Sequence, residues 1–207
     1  MVESLCDIGR ECKVTSFRYL GGKGLKSSVI HEDLVKAANE LSQRLTSAGV
    51  AHLIAGGLAV NVHGYERTTR DIDLVVEKKS LPEIRRLIGH VGAQGLPNRK
   101  GGHSVYRSIV VDLLYPNRGE RALEDALRRP LLVGPVPVAD VGPLVYLKLL
   151  SSRIKDRADL VELFKRADFG YDAARRFVQD HAPELLRKLA AVRAEAMKES
   201  LEAARWT

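Results

Sequence analysis

Two aspartates, one residue apart, stand at the start of an apolar stretch and are the residues best suited to chemistry in this chain. Asp71 and Asp73 flank Ile72 and lead into Leu74-Val75-Val76, a run typical of a buried strand. Because residues i and i+2 of a strand point to the same face, the two carboxylates would lie side by side. Such carboxylates repel each other unless a cation lies between them, and Mg²⁺ binds through one or two carboxylates plus the phosphates of a substrate. The spacing therefore predicts a magnesium site that receives a phosphorylated substrate.

A glycine pair lies upstream of the aspartates and supplies a complementary half of this site. Gly56 and Gly57 follow a short predicted strand, 51–55, and open a short predicted helix, 58–63. A helix that begins there would present free backbone N–H groups and its positive dipole end to a phosphate. Together with the aspartates, the glycine pair predicts a metal-dependent site for a nucleoside triphosphate.

A third carboxylate interrupts an apolar strand further along the chain. Asp112 is the only charged residue in the stretch 109–114, and an isolated carboxylate in apolar surroundings is costly to desolvate. If this strand lies beside the strand of Asp71 and Asp73, the three carboxylates could hold two Mg²⁺ ions. One ion would activate the attacking hydroxyl, and both would stabilise an in-line displacement at phosphorus. The alternative is a structural aspartate paired with a nearby arginine.

Length and composition set the outer bounds of the protein. Its 207 residues suffice for one large domain or for one domain with a helical annex. Lys and Arg outnumber Asp and Glu by 33 to 26, which favours an anionic partner such as a nucleotide or nucleic acid. The start of the chain does not resemble a signal peptide, and no apolar run approaches the roughly 18 residues of a membrane span. Cys6 and Cys12 fit neither a zinc site nor a disulfide framework, so we expect free thiols in a cytoplasmic protein without membrane contact.

Hydrophobic periodicity predicts an α+β fold with a mixed β-sheet flanked by helices. A glycine-rich loop is expected after residue 92, and the pattern is helical from residue 141 to the end. We therefore predict an N-terminal extension (1–30), a core that carries the site (31–140) and a C-terminal helical annex (141–207). The predicted elements are helices at 31–49, from 81 to 89 or 92, and at 121–129, strands at 51–55 and 71–76, two strands or one bent strand at 104–108 and 109–114, and a hairpin at 131–138.

The motifs resemble those of the nucleotidyltransferase superfamily that includes DNA polymerase β. The minimal pattern of that superfamily is a Gly-Gly or Gly-Ser pair, then Asp-x-Asp, then a later Asp on a strand. The surrounding residues are similar to the AbiEii and MenT-type nucleotidyltransferases of bacterial toxin–antitoxin systems, which share Gly-Gly-x-x-Ala, His-Gly and Arg-x-Thr-x-Asp-Ile-Asp segments. The resemblance covers approximately residues 31–165. The matching residues are Gly56, Gly57, Ala59, His63, Gly64, Arg67, Thr69, Asp71 and Asp73.

The resemblance implies a minimal nucleotidyltransferase fold and a Mg²⁺-dependent reaction. Such an enzyme moves a nucleoside monophosphate from an NTP to an acceptor hydroxyl and releases pyrophosphate. The 3′ end of tRNA is the leading acceptor and a protein side chain the second, in a toxin-like role with a cognate antitoxin protein as a possible partner. The resemblance also implies that Arg67 and Thr69 contact the phosphates or the nucleobase.

A basic and acidic motif on a downstream helix is also implied. Lys148 is the only charged residue between Val141 and Leu150, so it must either snorkel to solvent or point into a polar cavity. In an unbroken helix, Lys155 and Asp159 would share its face. The lysines would then neutralise the triphosphate, and Asp159 would orient one of them. The alternative is a solvent-facing charged helix with ion pairs four residues apart.

An acid-free stretch between the two aspartate strands bears on the acceptor. No Asp or Glu occurs from residue 84 to residue 111, and a positive rim suits RNA, whose phosphates dominate binding. An ordinary solvated basic surface would explain the same residues. Transfer to a protein side chain or a small molecule stays open, as does a non-catalytic nucleotide- or RNA-binding antitoxin partner. The five cations of the stretch are Arg85, Arg86, Arg99, Lys100 and Arg107.

Overall fold

The strands form one mixed sheet in the computed structural model, which describes residues 32–96 and 99–205. The seven strands of this part of the chain are arranged in the order β3-β4-β5-β2-β1-β7-β6. The pairs β2–β5 and β1–β7 are parallel, and the other neighbours are antiparallel. The strands are β1 (His52–Ile54), β2 (Asp71–Val76), β3 (Gly92–Leu96), β4 (Arg99–Tyr106), β5 (Ile109–Leu114), β6 (Leu131–Val133) and β7 (Val136–Val138).

Helices cover part of the sheet and make up the C-terminal region. Short 3₁₀ turns at Lys78–Ser80 and Pro183–Leu185 precede α3 and α8. This arrangement confirms the predicted α+β fold with a mixed sheet and a helical C-terminal region. Within the described residues the helices are α1 (Glu32–Ser47), α2 (Gly56–Val62), α3 (Leu81–Ile88), α4 (Arg121–Arg128), α5 (Val141–Leu150), α6 (Ile154–Lys165), α7 (Tyr171–His181) and α8 (Leu186–Ala203).

The first helix shows how the sequence builds the core beneath the site. Leu34, Ala38, Leu41 and Leu45 recur at helical spacing and are buried, so α1 lays one apolar stripe against the sheet. The helix ends at Ser47, and the positive φ of 69° at Gly49 lets the chain reverse without the penalty that a side chain would carry there. The chain then enters β1, which is buried along its whole length.

The β4–β5 part of the sheet buries only one of its faces. Val111 and Leu113 of β5 are buried, whereas Val110 is exposed and Asp112 is partly exposed. Since side chains alternate between faces along a strand, one face packs in the core and the other is open. The open face carries the carboxylates of interest.

The predicted glycine-rich loop after residue 92 is wrong, because β3 and β4 pair there as an antiparallel hairpin. One of its glycines, Gly102, allows close packing. A Cβ atom on Gly102 would lie 2.2 Å from the hydroxyl oxygen of Tyr115. A two-residue turn at Arg107 and Ser108, both with positive φ, joins β4 to β5, as in type I′ hairpins.

Other predictions fall outside what the structure describes or tests. The N-terminal extension, residues 1–30, and with it both cysteines, lies outside the described residues. The division of the chain at residue 140 stays a prediction. None of the described helices has the length and apolar character that a membrane-spanning helix requires.

The C-terminal helices pack closely enough to yield a stability prediction. Gly142 in the first turn of α5 faces Phe177 of α7, and a Cβ atom there would lie 2.5 Å from the ring carbon Cγ. Gly142→Ala is expected to lower the free energy of unfolding by about 1–3 kcal/mol, the usual cost of overpacking. Denaturant titration measures the change.

The matched control for this substitution is Gly92→Ala. A Cβ atom on Gly92 would have only ordinary contacts, the nearest at 3.8 Å, so its stability should stay close to that of the wild type. Equal stability of Gly142→Ala and Gly92→Ala would mean that Phe177 moves aside at no cost.

Candidate active site

Parallel pairing of β2 with β5 brings the three predicted carboxylates to one place. Asp73 lies directly opposite Asp112, and Asp71 lies opposite Val110. Neighbouring strands are about 4.8 Å apart, and residues directly opposite share a face of the sheet. Asp71, Asp73 and Asp112 therefore form a triad of carboxylates, named here the aspartate triad, on the open face.

The glycine pair lies against this triad, and its backbone approaches the neighbouring side chains closely. Gly56 opens α2 with a positive φ of 56°, and a Cβ atom on it would lie 1.7 Å from Oδ2 of Asp73. A Cβ atom on Gly57 would lie 2.4 Å from Oγ1 of Thr69. A side chain at either position would collide with the site, which is a reason for two glycines that is independent of phosphate binding.

Two polar residues fix the segment that leads into β2. Asn61 of α2 donates from Nδ2 to the carbonyl oxygens of Gly57 at 2.8 Å and Arg67 at 3.0 Å, and its Oδ1 accepts from the backbone N–H of Arg67. Thr69, which is buried, donates from its hydroxyl to Asp71 at 2.7 Å. Thr69 therefore orients the carboxylate of Asp71. Asn61, which the motif did not indicate, fixes the segment that leads into β2.

A chain of five charges, four of them buried or partly buried, borders the triad and is named here the ion-pair chain. Lys148 Nζ lies 3.0 Å from Asp156 Oδ1 and 2.5 Å from Asp159 Oδ2. Asp159 also accepts from Nη2 of Arg67 at 2.8 Å, and Asp156 accepts from Nε of Arg153 at 2.7 Å. Because the Lys148 side chain is only 3% exposed, it points into a polar interior and does not snorkel to solvent.

The condition for a shared face, an unbroken helix through Lys148 and Asp159, is not met. Helix α5 ends at Leu150 and α6 begins at Ile154, so Lys148 and Asp159 meet across two packed helices. The serine pair at 151–152 is a sequence signal for the break, since serine competes for backbone hydrogen bonds in a helix interior. Lys155 is exposed while its neighbour Asp156 is buried, so Lys155 lies outside the ion-pair chain.

The break between α5 and α6 is held by the last helix. Lys188 of α8 donates to the carbonyl oxygens of Leu149 and Ser151, where the end of α5 leaves carbonyl groups without helical partners. The hydroxyl of Ser151 accepts from the backbone N–H of Arg153 at 3.1 Å. These contacts fix the segment that carries Arg153.

The electrostatics of the triad follow from burial and from the crowding of like charges. Burial, together with the negative charges of Asp71 and Asp112, raises the pKa of Asp73 to about 6. The positive charges of Arg153 and Lys148 act on the same pKa in the opposite direction. The triad and the ion-pair chain are therefore close enough to influence each other.

The pKa of Asp156, which belongs to the ion-pair chain, shifts in the opposite direction. Burial alone would raise the pKa of Asp156, but the Lys148 charge and hydrogen bonds from Ser151, Lys148 and Arg153 lower it to about 2. The pKa of Arg153 is raised, because its hydrogen bond to Asp156 and the negative charges of Asp156, Asp73 and Asp71 outweigh desolvation. Its side chain is 74% exposed, so Arg153 is a cation that both faces the triad and reaches solvent.

A histidine on the neighbouring strand also contacts the triad. Nδ1 of His103 in β4 lies 3.1 Å from Oδ1 of Asp112. Its position opposite Asp112 depends on the length of the β4–β5 turn, which periodicity alone does not define. His63, by contrast, lies at the end of α2 and contacts the backbone oxygen of Ala139 at 2.8 Å.

The structure modifies the predicted basic rim. Arg86 pairs with Glu83 and Arg107 pairs with Glu40, so these two cations have acidic partners. The β3–β4 hairpin, which carries Arg99 and Lys100, lies next to β5 at one edge of the sheet. Part of the predicted basic rim therefore lies on a hairpin next to the strand that carries Asp112.

Whether a divalent cation fits this site depends on the ligand atoms that the side chains offer. Within residues 32–96 and 99–205, no group of three or more His, Cys, Asp or Glu side chains is arranged so that it could hold a metal ion. Mg²⁺ ordinarily combines one or two carboxylates with substrate phosphates, so the triad suits an ion that arrives with a nucleotide. Burial raises the pKa of Asp73, and repulsion from Asp71 and Asp112 raises it further; a cation at the triad would relieve both effects.

Comparisons with known proteins gave matches to solved structures only. No protein-family model matches the chain, and no curated protein matches it. ANT(2'')-Ia in complex with adenylyl-2''-tobramycin is 13% identical, with 81% of this chain and 98% of that chain covered and a TM-score of 0.44. An antigenic nucleotidyltransferase-like protein from Paracoccidioides brasiliensis is 16% identical, with 75% and 91% covered and a TM-score of 0.39.

A tRNA nucleotidyltransferase complexed with a primer tRNA and an incoming ATP analogue is a third similar structure. It is 17% identical, with a TM-score of 0.34, and the match covers 80% of this chain but only 59% of that chain. All three TM-scores are below 0.5 and all three identities are below 25%. The likeness therefore assigns neither a family nor an activity.

Removal of the central cation of the ion-pair chain yields a second stability prediction. Lys148→Met leaves two buried carboxylates with less compensation, so we expect a loss of about 3–5 kcal/mol in the free energy of unfolding. Lys155→Met is the matched control because Lys155 is exposed and should change stability little. Thermal and denaturant unfolding measure both. Equal stability of the two variants would show that the ion-pair chain contributes nothing to folding.

The raised pKa of Asp73 yields a prediction about pH. Its ordinary value is 3.8 and its value in the folded protein is about 6, so the native state binds this proton more tightly than the unfolded state. The stabilisation that this proton contributes is complete when the pH is below the ordinary pKa of Asp73, and it is lost as the pH rises through about 6. In buffer with a chelator, the free energy of unfolding should therefore fall over this window in the wild type and less in Asp73→Asn.

Mg²⁺ provides the complementary arm of this measurement. At pH 7 it should raise the melting temperature of the wild type more than that of Asp73→Asn, because a bound cation compensates the charge of the Asp73 carboxylate, which is mostly ionised above its pKa of about 6. Identical pH profiles for the two proteins would contradict the assigned crowding of the triad.

Proposed function

We propose that this protein is a Mg²⁺-dependent nucleotidyltransferase that moves a nucleoside monophosphate from an NTP to an acceptor hydroxyl. The observation that carries the proposal is the register of β2 and β5, which aligns Asp73 with Asp112 and leaves Asp71 beside them. Asp71, Asp73 and Asp112 would hold the metal ions. When bound, these ions would lower the pKa of the acceptor hydroxyl and stabilise charge on the reacting phosphate.

The residues near the glycine pair would bind the nucleotide, and Asp112, on the other side of the triad, would face the acceptor. Gly56 lies against Asp73, so the triphosphate would enter near the glycine pair and Arg153 would face it. Lys148 is neutralised by two carboxylates and would act through Arg153 and Arg67, which share those carboxylates. Any phosphate contact of Thr69, Arg67, Lys155 or Asp159 stays a prediction.

The reaction that this arrangement supports is a displacement at the α-phosphorus. The acceptor oxygen forms a bond to that phosphorus, the bond to the oxygen that bridges to the β-phosphate breaks, and pyrophosphate leaves. Asp112 would receive the proton of the acceptor hydroxyl because it lies one strand further than Asp73 from the glycine pair. Positively charged Arg153 would stabilise the departing pyrophosphate.

RNA is the acceptor that we propose, with the 3′ end of tRNA as the leading candidate. The support is the net charge of +7 and the position of Arg99 and Lys100 on the hairpin beside β5. The acid-free stretch around them argues against a pocket for a cationic small molecule. A toxin-like role and a cognate antitoxin stay predictions from the sequence resemblance.

The test incubates purified protein with labelled NTPs, Mg²⁺ and total RNA. We expect label on RNA with the wild type and its loss, by at least about 100-fold as for other transition-state stabilising groups, in Asp71→Ala and Asp73→Ala. Asp180→Ala, an exposed aspartate of α7, is the matched control and should transfer like the wild type. Near-wild-type transfer by the double variant would contradict the metal-site assignment.

The distribution of label distinguishes the acceptors. Label on a polypeptide and on no RNA would shift the acceptor to a protein side chain. NTP binding without transfer to any acceptor would favour the non-catalytic alternative and refute the proposed reaction.

A further inference from the structure

A row of three side chains crosses the open face of the sheet at the triad. Asp73 of β2 lies opposite Asp112 of β5, and Asp112 lies opposite His103 of β4. Residues directly opposite share a face, and with strands about 4.8 Å apart His103 stands about 10 Å from Asp73. Gly56 contacts Asp73 at the other end of the row. His103 therefore marks the side of the triad that lies away from the glycine pair.

The chemistry of the contact determines which atom donates. An ionised carboxylate can only accept hydrogen bonds, so Nδ1 of His103 must carry the hydrogen in its 3.1 Å contact with Oδ1 of Asp112. This holds whether the ring is neutral or charged. The contact fixes the orientation of the Asp112 carboxylate, since one oxygen is held toward β4.

The exposure of the two side chains differs in a way that suits an accessory role. The His103 side chain is 48% exposed and that of Asp112 is 21% exposed. A half-exposed histidine in a strand contributes little to the core, so packing does not explain its place. The described contact with Asp112 is polar and lies on the face that carries the site.

We infer that His103 is a positioning residue that orients Asp112 for activation of the acceptor hydroxyl. The inference rests on the proposed function and adds to it a residue outside the motifs. Hydrogen-bonded partners of metal-ligating groups typically change activity by about 10–100-fold when removed. Because His103 lies away from the glycine pair, its removal should lower turnover and leave the KM for NTP nearly unchanged.

The experiment compares side chains that keep or lose the donor. The amide nitrogen of asparagine occupies nearly the same place as Nδ1 of histidine, whereas that of glutamine reaches further, toward Nε2. We expect His103→Ala and His103→Gln to lower kcat by about 10–100-fold and His103→Asn to recover most of it. His90→Ala, an exposed histidine just before β3, is the matched control and should keep the wild-type kcat.

A double variant separates positioning from an independent contribution. In an Asp112→Asn background, loss of His103 should cause no further decrease, because residues that act as one unit are not additive. Melting temperatures should stay within a few degrees of the wild type. This distinguishes lost orientation from unfolding.

The outcomes separate this inference from the proposed function. Transfer by the wild type with unchanged kcat in His103→Ala would overturn the role of His103 and leave the proposed function intact. Failure of His103→Asn to recover turnover, or fully additive losses with Asp112→Asn, would also overturn it. A wild type that transfers to no acceptor would refute the proposed function and the inference together.

Discussion

Lys148 is buried between two carboxylates, and much of the arrangement around the site depends on this interaction. A buried ammonium group is costly unless it is paired and hydrogen-bonded, and here Asp156 and Asp159 pair with it from the next helix. Each aspartate in turn binds an arginine, Arg153 or Arg67. The interaction therefore joins α5 and α6 to the segment that enters β2. The contacts of the Lys148 Nζ atom thus fix α5, α6 and the loop before β2 relative to one another.

The positive charge of the ion-pair chain compensates the negative charge of the aspartate triad only in part. The chain has three positive and two negative groups, so one positive charge remains beside three carboxylates. Burial and repulsion within the triad raise the pKa of Asp73, while Arg153 and Lys148 lower it. The protein thus holds a partly compensated cluster that still favours an added cation. A nucleotide that arrives with its metal ion would complete the compensation.

The parts of the site that depend on local pattern could be predicted from the sequence. The i, i+2 spacing of Asp71 and Asp73 requires only a strand, and Asp112 stood out as a charge in an apolar stretch. Helix α1 and the strands β2 and β5 follow from hydrophobic period in the same way. The predicted α+β fold is therefore confirmed, because these elements are long or strongly patterned.

Features set by tertiary packing could not be predicted in this way. The partners of Lys148 come from a separate helix, and the break at 151–153 is stabilised by Lys188 of α8, more than thirty residues away. The glycines of β3 and β4 are typical of a loop, yet they lie in paired strands, where Gly102 of β4 leaves room for Tyr115. His103 meets Asp112 only because a turn sets the register of β4 and β5.

That turn has a consequence for how such a protein can vary over evolution. Arg107 and Ser108 are the whole connection between β4 and β5. Side chains alternate at every residue, so a register shift of one residue transfers an entire strand's pattern to the opposite face. An insertion of a single residue here could be absorbed only by a bulge, or else it would move His103 to the buried face and Ser104 to the open one. Loop length at this hairpin is therefore a heritable determinant of the site, although neither turn residue belongs to it.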